Sequence, residues 1–168
     1  MPIPHLHPTP TAAPQDRHAA SLQRAAEAYL AHTHPRTPLR LDRVTFSGVV
    51  YRAVPDPAAL RLNRALAEEV VLVALAGEEA AILSGTTAVA AGRDARMLLA
   101  CALTDPDEQD TLDAYLAVLR GRARARLRRA WSEVEVLAAG LREHGELDAA
   151  QVAHRVACAQ GIRASLLN

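Results

Sequence analysis

Hydrophobic and polar positions alternate along this chain with a period near 3.6 almost everywhere, and with a period near 2 in one short stretch. The densest apolar run extends from Leu66 to Ser84 and is closed by Gly85. Within it Leu66, Val70, Val73, Gly77 and Ala81 recur at helical spacing, while Val71, Leu75, Ile82 and Leu83 widen the stripe until little polar face remains. Such a helix belongs in the middle of a bundle with other helices around it. Gly77 lies inside it, where glycine costs roughly 1 kcal/mol against alanine. That predicts close approach by a neighbouring backbone. Gly85 supplies the left-handed stop, and a further helix should begin near Ala90 and carry Asp94.

The remaining elements follow the same two periods. A first helix is predicted from about Asp16 to His32, with Leu22, Ala26, Tyr29 and Leu30 inward, ended by His32-Thr-His34-Pro35. Val44-Thr-Phe46 and Val49-Val-Tyr51 read as two β-branched strands around a Ser47-Gly48 turn. Asp56 caps a helix whose first residue is Pro57 and which leads into the long apolar helix. After Asp94, Met97, Leu98, Cys101 and Ala102 should point inward. Asp105-Pro106-Asp107-Glu108 then opens one long helix reaching about Glu143. Its stripe is Leu112, Leu116, Leu119, Ala123, Leu127, Ala130, Val134, Leu137 and Leu141. Gly145 ends it, and Leu147-Asp148-Ala-Ala-Gln151 caps a last helix. Residues 1–15, with five prolines, read as a disordered or extended tail. No internal repeat is present. The expected architecture is mostly α, a single helical domain over residues 16–168 with one small β-hairpin.

Composition narrows the function classes. Lys+Arg and Asp+Glu balance at 19 each, which argues against general affinity for nucleic acid or acidic membranes. Every basic residue apart from histidine is arginine. Half the residues are apolar but only five are aromatic, so the core must rest on Leu, Val and Ala. Cys101 and Cys158 form no Cys-x-x-Cys pair, which excludes a disulfide scaffold and a zinc ribbon. Neither an export signal nor an uninterrupted membrane-length apolar run is visible, so a cytoplasmic, non-membrane protein is expected.

Six arginines fall between positions 120 and 129. The leucine stripe before and after them requires a helix, on which they spread over the wide non-core side. Phosphate contact is one reading. Zero net charge and few aromatics favour the other, a solvated face paired with acids such as Glu133 and Glu135, and nucleic acid is not an expected partner. Trp131, at the edge of the stripe, reads as core.

The stretch Ala76-Gly77-x-x-Ala80-x-x-x-x-Gly85, then a short loop and Gly92-Arg93-Asp94 opening the next helix, resembles the peptidase domain of FtsH-type zinc metalloproteases. The order of elements over residues 18–157 matches that family, without room for its AAA+ motor or membrane helices. The resemblance implies that Asp94 corresponds to the third zinc ligand. It also implies a His-Glu-x-x-His motif on the first helix, where two imidazoles one turn apart grip the ion and glutamate takes a proton from bound water.

No two histidines are spaced by four. Counting back from the hairpin aligns the motif with Ala26-Glu27-Ala28-Tyr29-Leu30, which keeps Glu27 as a vestigial catalytic candidate and replaces both imidazoles. A second alignment, His18-Ala-Ala-Ser-Leu22, keeps one histidine and loses the glutamate. Asp94 alone remains a vestigial metal candidate, and between Arg93 and Arg96 it suits equally a helix-start residue in an ion pair. Glu27 reads as an ordinary exposed helix residue ahead of a surviving base, and His5 and His7 as solvated tail residues ahead of metal ligands. No cofactor is expected, with zinc only if an unconventional site survives. Three functions are therefore open. One is an inactive FtsH-peptidase-like domain that binds a peptide or protein partner through the hairpin edge and cleft. The others are an active metalloendopeptidase with an unconventional ligand set, and a helical module for homo-oligomer assembly.

Overall fold

The structure is a computed structural model that describes residues 14–33 and 39–167. Most of the proline-rich tail, with His5 and His7, and the His34-Pro35 stop lie outside the described residues. Among those described, eight helices and three strands follow in the order α1 (Pro14–Thr33), β1 (Arg40–Thr45), β2 (Val49–Ala53), α2 (Pro57–Leu62), α3 (Arg64–Ser84), α4 (Ala95–Ala102), α5 (Pro106–Asp110), α6 (Leu112–Arg129), α7 (Trp131–His144), β3 (Glu146–Asp148) and α8 (Ala149–Leu166).

The apolar run forms α3 and takes the central place its composition demands. One side faces the main core, where Val70, Val73, Ala76 and Ala80 meet α1, α7, α8 and the sheet. The other side, Val71, Leu72 and Leu75, meets α4 and α6 in a second core. A helix between two cores has no use for a broad polar face. Gly85 closes it at φ 66°, with Thr86 N–H returning to the Ala81 carbonyl. At Gly77 a Cβ would stand 3.7 Å from the Cβ and carbonyl oxygen of Gln23, so α1 does approach here, but only to ordinary contact distance.

Three expected continuities are interrupted. Asn63 breaks the helix entered at Pro57, because its side chain accepts from Leu66 N–H and starts α3 afresh. Thr111 separates α5 from α6, and Ala130 (φ −114°, ψ 25°) separates α6 from α7. The leucine stripe crosses Ala130 without a phase change, and no glycine or proline marks the bend. The two halves serve different neighbours: α6 lies along α3, whereas α7 lies along α1. Met97, expected inward, is exposed, whereas Ala102 is buried as expected and Leu99 is buried with it.

The hairpin exists but its turn is one residue earlier. Thr45 and Gly48 exchange both backbone hydrogen bonds (2.9 and 3.3 Å), leaving Phe46-Ser47 as the two-residue turn. It is also part of a larger sheet. Glu146–Asp148, expected only as a helix cap, pairs antiparallel with β1 and gives the order β2-β1-β3. Asp148 still caps α8 reciprocally with Gln151. A three-residue strand carries too little alternation to be read from sequence.

The arginine run pairs with α3 and not with Glu133 or Glu135. Arg120 reaches Glu78 (2.7 Å), Arg124 reaches Glu79 (2.7 Å), Arg122 reaches Glu68 (2.7 Å) and Arg126 reaches Glu69 (3.0 Å). Tyr115 also donates to Glu68. Most of these groups are partly exposed, so each pair contributes little alone. Glu79 is the exception. It is fully buried and depends on Arg120 and Arg124 for compensation.

Two substitutions test this packing. Gly77→Ala should stabilise the fold by up to about 1 kcal/mol, since the added methyl meets only ordinary contacts and the helix propensity improves. Leu137→Ala, in the main core, should cost about 2–5 kcal/mol. Urea denaturation followed by circular dichroism reads both.

Candidate functional site

Helix α1 is enclosed on nearly every side, with all residues from Ser21 to Ala28 buried. A helix in that position must satisfy any polar side chain it carries. Three of them, Gln23, Arg24 and Glu27, line a cleft of about 130 Å³ whose other walls are α3 at Ala74, Gly77 and Glu78 and the segment Ala88–Arg93. Their spacing, i, i+1 and i+4, sets all three on one face of the helix.

Each is bound to a different part of the chain. Gln23 uses both ends of its amide: Nε2 donates to the Thr87 carbonyl (2.8 Å) and Oε1 accepts from Val89 N–H (2.7 Å). Arg24 donates to the Ala90 carbonyl (2.9 Å) and, at greater length, to the Phe46 carbonyl (3.4 Å). Glu27 accepts from the Tyr51 hydroxyl (2.8 Å) and has Arg24 at 3.7 Å. Arg93 lies over the Tyr51 ring, 5.4 Å from its centre. Together these bonds fasten α1 to β2 and to the segment connecting α3 with α4.

The electrostatics follow from burial. Desolvation raises the Glu27 pKa above its ordinary 4.5, against opposing pulls from the Tyr51 hydrogen bond, Arg24 and Arg93. Burial, and then the Glu27 charge, raises that of Tyr51, so the phenol keeps its proton and serves as the donor.

Glu27 therefore stands in the cleft, buried and bonded, and is not the exposed helix residue that one reading expected. Asp94 does not line the cleft. It is exposed, and its carboxylate accepts from Met97 N–H at 3.0 Å as the N-cap of α4, while its neighbour Arg93 turns to the cleft. Ala26 and Leu30 lie in the main hydrophobic core, so residues 26–30 do not present their ends to the cleft as that alignment requires. His18 lines a separate hollow of about 680 Å³ beside Gly85–Val89, and Leu22 is core. Among the described residues, no three His, Cys, Asp or Glu side chains converge in a way that could hold a metal ion. Gln23, Arg24, Tyr51 and Arg93 were not singled out from sequence. The available signal was three polar residues in a helix segment otherwise made of alanine and leucine.

No protein-family profile matches the chain, and no curated protein sequence matches it.

Because the folded state raises the Glu27 pKa, it binds a proton more readily than the unfolded chain. Stability from this group is thus full below about pH 4.5 and is lost as pH rises through the folded-state value. The stability of Glu27→Gln relative to the parent should be flat below that range and shift in the variant's favour as pH rises through it. Urea titrations from acid to neutral pH would show this, and a constant difference would contradict it.

Proposed function

We propose that this chain forms a domain of FtsH-peptidase type that binds an extended peptide or protein segment without hydrolysing it. The observation that carries the reading is the chemistry of the three α1 residues facing the cleft. They have the spacing of a His-Glu-x-x-His motif. In that register, three residues earlier than the hairpin count suggested, Gln23 and Glu27 correspond to the two imidazoles and Arg24 to the general base. Arginine cannot deprotonate in a protein and so cannot take a proton from water. The carboxamide of Gln23 is committed at both ends to the 87–89 backbone. Glu27 becomes a residue at a former ligand position instead of a surviving base.

Binding has its support beside the cleft. In the sheet order β2-β1-β3, no described strand pairs with the outer edge of β2, which carries Tyr51 at the cleft. Thr45 and Gly48 are a hydrogen-bonded pair, so the adjacent pair, Val44 and Val49, is not bonded to each other. The Val49 N–H therefore points to the open side, where an added strand would accept or donate main-chain hydrogen bonds. No described helix is long and apolar enough to cross a membrane.

Val49→Pro removes that outward N–H without breaking the β1–β2 ladder. Fluorescence anisotropy against a library of labelled extended peptides should find binders, and the proline variant should weaken them by about tenfold or more. Binding indifferent to this substitution, or cleavage of the peptides by the parent protein, would overturn the proposal.

A further inference from the structure

Four arginines of the run between 120 and 129 are occupied by the carboxylates of α3, but Arg128 and Arg129 have no acidic partner among the described residues. The two differ in surroundings. Arg129 lines a hollow of about 380 Å³ together with Arg126 from α6, Arg163 from α8 and Tyr29 and Thr33 from the end of α1. Arg128 does not line it.

The hollow gathers more positive charge and more donors than the protein uses. Arg126 places one terminal nitrogen on Glu69 (3.0 Å). Arg163 places one on the Arg129 carbonyl (3.0 Å) and within 2.9 Å of Glu133, a fully buried carboxylate whose facing oxygen forms no aligned hydrogen bond. Three guanidiniums thus face two carboxylates, and each guanidinium carries five N–H donors. Burial, and then the Glu133 charge, keeps Tyr29 protonated, which adds a hydroxyl to the rim. The α7 helix also begins at this point without a side-chain cap, its positive end adjoining Ala130.

We propose that this hollow, on the far side of α1 from the β2 edge, is a binding site for the phosphate group of a small phosphorylated molecule. A single carboxylate satisfies one guanidinium fork, whereas a phosphate dianion offers acceptor oxygens to several at once and balances the surplus charge. The volume is in the range of small-molecule sites and leaves space beyond the phosphate for an organic remainder. The site does not depend on the peptide-binding proposal.

The test is a titration of the full chain, at constant ionic strength, with inorganic phosphate, with a phosphate monoester such as glucose 1-phosphate, and with acetate, followed by amide chemical shifts. Saturable shifts centred on Tyr29, Arg129 and Ala130 are expected with phosphate and the ester, the ester binding at least as tightly, and none with acetate. Arg129→Gln should weaken binding by about tenfold, and Arg128→Gln should leave it within about twofold. Neither guanidinium supports a core contact, so both variants should fold. Absence of saturation with either phosphate compound, exclusion of the ester, or equal loss in the two variants would overturn the assignment, the last by reducing it to diffuse charge attraction.

Discussion

The structure depends on enclosing α1. Packed against α3, α7 and the sheet, this helix has no solvated face between Ser21 and Ala28, so its polar side chains must find partners inside the protein. An unpaired buried polar group costs about 1–3 kcal/mol, more when charged. Gln23, Arg24 and Glu27 avoid that cost by bonding to the hairpin at Phe46 and Tyr51, to the backbone at 87–90, and, for Arg24 and Glu27, to each other. The geometry of the cleft is a consequence of satisfying those groups.

A second constraint shapes the opposite side. Because α3 lies between two cores, its four glutamates are confined to the seam facing α6, and the arginines of α6 answer them one by one. Four of the chain's 19 acidic residues are thus matched in a local pairing between two helices. What the pairing leaves over, Arg129 with its neighbours across α6 and α8, is where surplus charge persists.

Much of this was legible before any coordinates. The width of the apolar stripe from Leu66 to Leu83 required a central helix, Gly85 and Gly145 marked ends at positive φ, and Asp56, Asp105 and Asp148 are caps where their spacing indicated. Less visible were changes of direction that leave the period intact. Ala130 bends a continuous stripe because its two halves meet different helices, which only tertiary packing reveals. The third strand was hidden for a related reason, since three residues beside a helix cap satisfy both roles. The hairpin count points to residues 26–30, whereas the α1 side chains that line the cleft are Gln23, Arg24 and Glu27. Counting from the hairpin assumed a loop length, whereas burial of Ala26 and Leu30 decides which face of α1 is turned inward.

The central claim is that the α1 side chains in the cleft act as structural ties and not as metal ligands. Metal content of the purified full chain, prepared with added zinc and then dialysed, measures this most directly. The account predicts zinc well below one ion per chain, with no change in Glu27→Gln. About one tightly held ion per chain, lost in that variant, would contradict it.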